Sequence, residues 1–133
     1  MTSTSGACAR NALTYARAVA RSVSAEMHSG FPAMRRELSM NIKLRTHKAL
    51  DPEVRADVDR VIAIWHDCRA RYGSGGEFLF GTFSIADCMY APVVTRFYSY
   101  GVELDGFAAH YSAAVLAHPA MLAWYDAAER EEG

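Results

Sequence analysis

The run Gly81-Thr82-Phe83-Ser84-Ile85-Ala86-Asp87-Cys88-Met89-Tyr90-Ala91-Pro92-Val93-Val94 decides the fold. It reads as a helix entering a core. Ser84 is a good N-cap, because its hydroxyl can accept from the orphan backbone N–H groups of the first turn. Asp87 stands at the capping-box position, where a carboxylate reaches back to the Ser84 N–H and favours the positive end of the helix dipole. Phe83 and Cys88 occupy the hydrophobic-staple positions. The residues from Cys88 to Val94 carry no charge, whereas an amphipathic surface helix would show a polar side within that distance. This helix is therefore expected to be buried all round. It should run to about Tyr100, with Gly101 as its stop. Pro92 lies inside it and is expected to kink the axis and leave the Cys88 carbonyl without its usual partner.

Upstream, residues 1–8 read as a flexible start, and a helix follows from Ala9 to about Gly30. Ala12, Ala16, Val19, Val23 and Met27 make one apolar stripe at helical spacing, with Arg10, Arg17 and Arg21 off it. Gly30 and Pro32 bend or end that helix, which can resume briefly over residues 34–38. Residues 40–49 form a connection whose basic run, Lys43 to Lys48, reads as a solvated loop, with anion capture as the functional alternative. Asp51-Pro52 starts the next helix: a capping Asp, then Pro at the first helical position. Val54, Val58, Val61 or Ile62, Trp65, Cys68 and Tyr72 share its dry face. Gly73-Ser74-Gly75-Gly76 is a flexible turn; it lacks the Lys-Ser/Thr and the preceding strand of a phosphate loop.

Downstream, Asp105-Gly106 opens a helix carrying Phe107, Tyr111 and Val115 at spacings of four. His118-Pro119 breaks it, and a last helix from about Ala120 to Arg130 bears Leu122, Trp124, Tyr125 and Ala128. No segment alternates like a strand and no linker divides the chain. The expectation is an all-α, single-domain bundle of about five helices over residues 9–131.

The composition narrows function by exclusion. The chain has 133 residues, 51% hydrophobic and 22% charged, an ordinary globular balance. A net charge of −1 provides no general field for nucleic acid or an anionic membrane, so neither is an expected partner. No apolar run approaches the roughly 20 residues of a bilayer span. The N-terminus lacks the basic-then-apolar pattern of a signal peptide. Cys8, Cys68 and Cys88 are odd in number and scattered, which suggests free thiols in a reducing compartment. The cytoplasm is the expected location.

No local motif carries chemistry. Glu26-Met27-His28 lacks the second His of a metalloprotease helix. His66-Asp67-Cys68 offers possible ligands without a distant partner set, so it reads as surface, and no metal site is expected. Asp87 is accounted for by the capping box rather than by general-base work. His28 has two readings: a partly buried imidazole bonded to a backbone carbonyl, or a residue lining a ligand cleft. Arg96, the one charge in the later half of its helix, either snorkels to solvent or faces an anionic ligand. Met27, Phe31, Met34, Tyr98 and Tyr100 read as core or rim, and such residues also suit permissive apolar pockets.

The segment from Gly81 to Asp87, its apolar helix and Pro92 resemble the capping-box helix in the C-terminal domain of glutathione transferases. Ala25-Glu26-Met27-His28-Ser29-Gly30-Phe31 looks like the first long helix of that domain in a bacterial branch of the family. Leu116-Ala117-His118-Pro119 followed by Trp124 looks like its final helices. The resemblance covers residues 8–131.

It implies that Ser84 and Asp87 are the folding box and that Met27, His28 and Phe31 face the cleft, with Arg96 as a further candidate. It also implies glutathione as co-substrate, a hydrophobic electrophilic small molecule as the second substrate, and homodimer contacts. In the family a thioredoxin-like N-terminal domain binds most of the glutathione and activates its thiol. This chain has no βαβ segment before Ala9, so no catalytic residue is assigned within it. The thioredoxin-like domain is expected in cis or in trans. On this reading the domain contributes an electrophile pocket and is catalytically incomplete alone. The alternatives are a free-standing, non-catalytic helical interaction module and a helical enzyme that uses His28 or His66. A further expectation is an exposed apolar patch around Met27 and Phe31.

Overall fold

Helices follow one another along a computed structural model that describes residues 2–131, with side chains from Thr14 onward. They are α1 (Thr2–Ser29), α2 (Pro32–Glu37), α3 (Pro52–Tyr72), α4 (Ile85–Ser99), α5 (Gly106–Ala117) and α6 (Pro119–Arg130). The helical backbone of α1 begins at Thr2, ahead of the Ala9 start suggested by the sequence. Cys8 and Ala12 lie outside the residues whose side chains are described. The brief helix anticipated near residues 34–38 is α2, which brings the helices among the described residues to six.

Two helices carry the bundle. Helix α4 packs on α1 and α5, and α3 packs on α2 and α5, while α6 rests on α5. At the centre the Trp65 ring meets Tyr111, Phe97 and Tyr90 at centroid separations of 4.8, 5.6 and 6.2 Å. Offset and edge-on aromatic contacts of this kind add to the area they bury. Val54, Val58, Val61, Trp65 and Cys68 are buried, so the dry face of α3 lies where its periodicity puts it.

Both ends of α4 follow from local chemistry. At its start Ser84 and Asp87 close the reciprocal capping box. At its end Val102 N–H bonds the Phe97 carbonyl at 2.9 Å and Gly101 N–H bonds Tyr98 at 3.4 Å, the paired bonds of a Schellman stop. Gly101 takes the positive φ of 65° that this stop requires. The basic loop is moored there, with Thr46 and Lys48 donating backbone N–H groups to the Ser99 and Tyr100 carbonyls. The glycine turn after α3 is likewise held, because Arg69 Nη1 donates to the carbonyls of Gly73, Gly76 and Phe78.

Three apolar positions differ from expectation. Phe107, Leu122 and Trp124 are exposed, and Met121 is the α6 side chain that enters the core. A spacing of four puts residues on one face but does not say where that face leaves the core. Phe107 lies in the first turn of α5, where its ring meets His66 edge-on at 5.1 Å near the surface. The staple also differs. The Phe83 ring stacks on His118 at 3.9 Å and meets Phe78 edge-on at 5.1 Å, while Cys88 is exposed.

Candidate functional site

Asp87 sets the position of everything around it. Its side chain is fully buried, and its two oxygens accept four hydrogen bonds. Oδ2 takes the Ser84 N–H at 2.8 Å and the Ser84 hydroxyl at 3.1 Å. Oδ1 takes the Leu79 N–H at 3.2 Å and the Tyr111 hydroxyl at 2.8 Å. A buried carboxylate is tolerated when its lone pairs are filled in this way. One side chain thus joins the turn before α4, the start of α4 and the middle of α5. Burial, reinforced by the Asp87 charge, pushes the Tyr111 phenol well above its ordinary value, so it remains a donor. Asp87 has no free lone-pair direction for a substrate proton, and its role is architectural.

Helix α4 is also tied to α1. The Tyr90 hydroxyl donates to the Val23 carbonyl at 3.0 Å, and burial raises the Tyr90 pKa. Beside this contact a groove lies between the two helices. One part has a volume of about 490 Å³ and is lined by Arg17, Ala20, Arg21 and Ser24 of α1 with Ile85 and Met89 of α4. The adjoining part, about 320 Å³, is lined by Met27 and His28 of α1, Arg35 of α2, and Cys88, Met89, Pro92 and Arg96 of α4. Met89 borders both. Residues 85, 88, 89, 92 and 96 follow a helical stripe, which is the principal face on which α4 escapes burial.

Of the residues singled out in the sequence, Met27, His28 and Arg96 come together on this groove. Met27 is buried in its floor and His28 is exposed at its rim. Arg96 is half-buried, and its Nε donates to the Leu38 carbonyl at 2.9 Å. Burial and the neighbouring Arg35 charge lower its pKa. Phe31 does not join them. Its side chain is in the core, and its backbone is left-handed at φ 61°. The Gly30-Phe31-Pro32 corner joins α1 to α2, and a residue before proline is disfavoured in the right-handed helical region. The left-handed conformation of a non-glycine residue costs roughly 1–2 kcal/mol, offset here by burial of the ring.

The apolar patch expected around Met27 and Phe31 is therefore not built from those side chains, since each is 5% exposed. The α1–α2 corner folds them inward. The groove owes its apolar surface to Ile85, which is 71% exposed, and to Met89. Sequence reasoning missed Arg35, Cys88, Met89 and Ile85 as lining residues. The available signal was the stripe at 85, 88, 89, 92 and 96, concealed because four of its five members are uncharged.

The other sequence candidates are dispersed. His66 and Asp67 are exposed, Asp67 pairs with Arg71 at 3.3 Å, and Cys68 is buried with its thiol pushed up to about 11 by that burial. Among the described residues no group of His, Cys, Asp and Glu could hold a metal ion. No helix among them is long and apolar enough to cross a membrane.

Comparison with known proteins bears on the same elements. No curated protein and no solved structure matches the chain significantly. The family profile described as the glutathione S-transferase C-terminal domain matches residues 23–127, from the buried end of α1 through most of α6. That span contains the capping box, the Schellman stop and most of the α1–α4 groove. The chain thus belongs to the glutathione S-transferase C-terminal domain family.

Proposed function

We propose that this domain is the helical half of a glutathione-conjugating transferase and that the α1–α4 groove seats its hydrophobic electrophile. The observation that carries this reading is the groove itself, with Met27, Met89, Pro92 and Ile85 as its apolar wall in a chain of this family. Methionines suit such a wall because their flexible, polarizable side chains adapt to differently shaped ligands. The thiol-activating residue comes from a thioredoxin-like domain, in cis or in trans. There the glutathione thiolate attacks the electrophilic carbon, a C–S bond forms, and the leaving group departs with the bonding electrons. This chain's contribution is to hold the carbon near the sulfur, because positioning alone removes much of the entropic barrier. The reading places the enzyme in the cytoplasm as a homodimer with a detoxifying role.

Expressing the chain with and without a thioredoxin-like partner domain tests this. Conjugation of glutathione to a chloronitroarene, measured as chloride release and thioether formation, is expected only with the partner present. Failure with the partner, while the complex is intact, overturns the proposal. A second reading, a non-catalytic interaction module, draws on the exposed Phe107, Leu122 and Trp124 of α5 and α6. It would lead if the chain formed a stable complex without conjugation.

A further inference from the structure

The α1–α4 groove is apolar along its walls and positive along its edges. Arg17 and Arg21 border one part, and Arg35 and Arg96 border the other. Among the described residues no acidic side chain lines either part. The chain as a whole carries a net charge of −1, so this concentration of one sign is local.

The nearby acids are committed elsewhere. Glu26, the only acid in α1, accepts both forks of Arg60 at 2.8 and 2.9 Å. Asp87, the only acid in α4, is enclosed by its own donors. Glu37 of α2 is engaged by Arg36 at 3.1 Å and by Lys48 at 3.5 Å.

Arg35 and Arg96 are both half-buried, and neither forms an ion pair with a described carboxylate. Arg35 donates to the Met27 carbonyl, and its Nε is buried without a partner. Arg96 uses Nε on the Leu38 carbonyl. These backbone contacts orient the guanidinium groups without neutralising them. Two neighbouring cations partly removed from water repel each other and lose some hydration, a cost that an anion between them offsets. Guanidinium groups also match a carboxylate's geometry with paired N–H donors.

We propose that Arg35 and Arg96 form a carboxylate-recognition pair, so that the groove takes an apolar ligand bearing a carboxylate. This rests on the groove being the ligand pocket and names the class of ligand it selects. The carboxylate belongs to the electrophilic co-substrate, because glutathione, a polar and charged tripeptide, does not match the apolar walls.

The test is a ligand-observed NMR titration of the full 133-residue chain with cinnamate and, separately, with neutral cinnamamide. Cinnamate is expected to bind at least about tenfold tighter, equivalent to ~1.4 kcal/mol, with the preference shrinking as salt is raised. R96Q and R35Q should each erase most of that preference while cinnamamide binding persists. R96K should restore part of it, because the charge returns without the fork. R55Q, which removes a guanidinium outside the groove, should leave the preference unchanged.

Unfolding curves establish that each variant is folded, and the salt series on the unmodified chain stands independently of any variant. Equal binding of the two ligands, or a preference that survives R96Q and R35Q together, overturns the arginine pair but leaves the groove. Failure of both ligands to bind overturns the groove and the pair together. Displacement of cinnamate by glutathione overturns the assignment of the pair to the co-substrate. Simultaneous binding of both assigns it to the co-substrate.

Discussion

Removing the Asp87 carboxylate should come close to unfolding the protein, and the size of the effect follows from its partners. Asp87→Ala removes the acceptor of the Ser84 N–H, the Ser84 hydroxyl, the Leu79 N–H and the Tyr111 hydroxyl. Losing the capping box costs about 1 kcal/mol. Losing a hydrogen bond from Tyr111 to a charged acceptor costs about 1.5–3 kcal/mol, and leaving a buried N–H without a partner at Leu79 costs about 1–3 more. The expected total is ~5 kcal/mol, comparable with the whole stability of a marginal domain. Asp87→Asn is the sharper experiment. Either flip of the amide presents its NH2 group to an obligate backbone donor, Ser84 N–H on one side or Leu79 N–H on the other. It should therefore cost about 1–3 kcal/mol despite its unchanged shape. Tyr111→Phe should cost a similar amount. Urea unfolding followed by far-UV circular dichroism measures all three. A double-mutant cycle between D87N and Y111F should show a coupling of about 1 kcal/mol or more. Wild-type stability for D87N, or strict additivity in the cycle, would refute the view of Asp87 as the structural hub.

Other expectations concern different parts of the chain. In the native protein Cys88 should be alkylated rapidly by iodoacetamide and Cys68 should be protected, because one is exposed while the other is buried with its thiol raised to about 11. Peptide mapping by mass spectrometry distinguishes them, and equal labelling would contradict the packing of α3. Gly101→Ala should cost more than Gly106→Ala in thermal unfolding. Both have positive φ and incur about 1–2 kcal/mol of strain, but a Cβ at Gly101 would also lie 2.9 Å from the Thr46 carbonyl oxygen. The Arg60 fork, opposed by a smaller cost of burial, holds the Glu26 carboxylate below its ordinary value of 4.5. Its folded-state pKa is depressed, so its stabilisation is present above the unfolded value and is lost as pH falls through the folded one. The stability difference between wild type and Glu26→Gln should be only about 0.2–1 kcal/mol at neutral pH, given the pair's exposure, and should vanish on acidification below 4.5. A constant difference down to the acid transition would exclude this linkage.

Local rules accounted for much of the architecture. Ser84 with Asp87, and Gly101, mark helix ends because the donors and acceptors they satisfy lie within a few residues in sequence; Asp51-Pro52 also marks the start of α3, through the proline's fixed φ, since the Asp51 side chain makes no capping hydrogen bond. The buried face of α3 was legible because its apolar positions repeat at the helical period, whereas α4, expected to be buried all round for want of charge, keeps an uncovered stripe from Ile85 to Arg96. Long-range partners left no such trace. That Asp87 also holds Tyr111, a residue 24 positions away, depends on how α4 and α5 cross. Similar spacing could not show that Phe107 and Leu122 remain outside while Met121 enters the core. Met27, His28 and Arg96 were identifiable individually, but their meeting point was not. Residue types and periods determined the helices. The docking of α1 against α4, pinned from Tyr90 to Val23 and turned inward at Phe31, made a groove from one stripe on each helix and brought Arg35 to its edge beside Arg96. A groove is the space between two surfaces, so its shape and charge are fixed only when tertiary packing sets both.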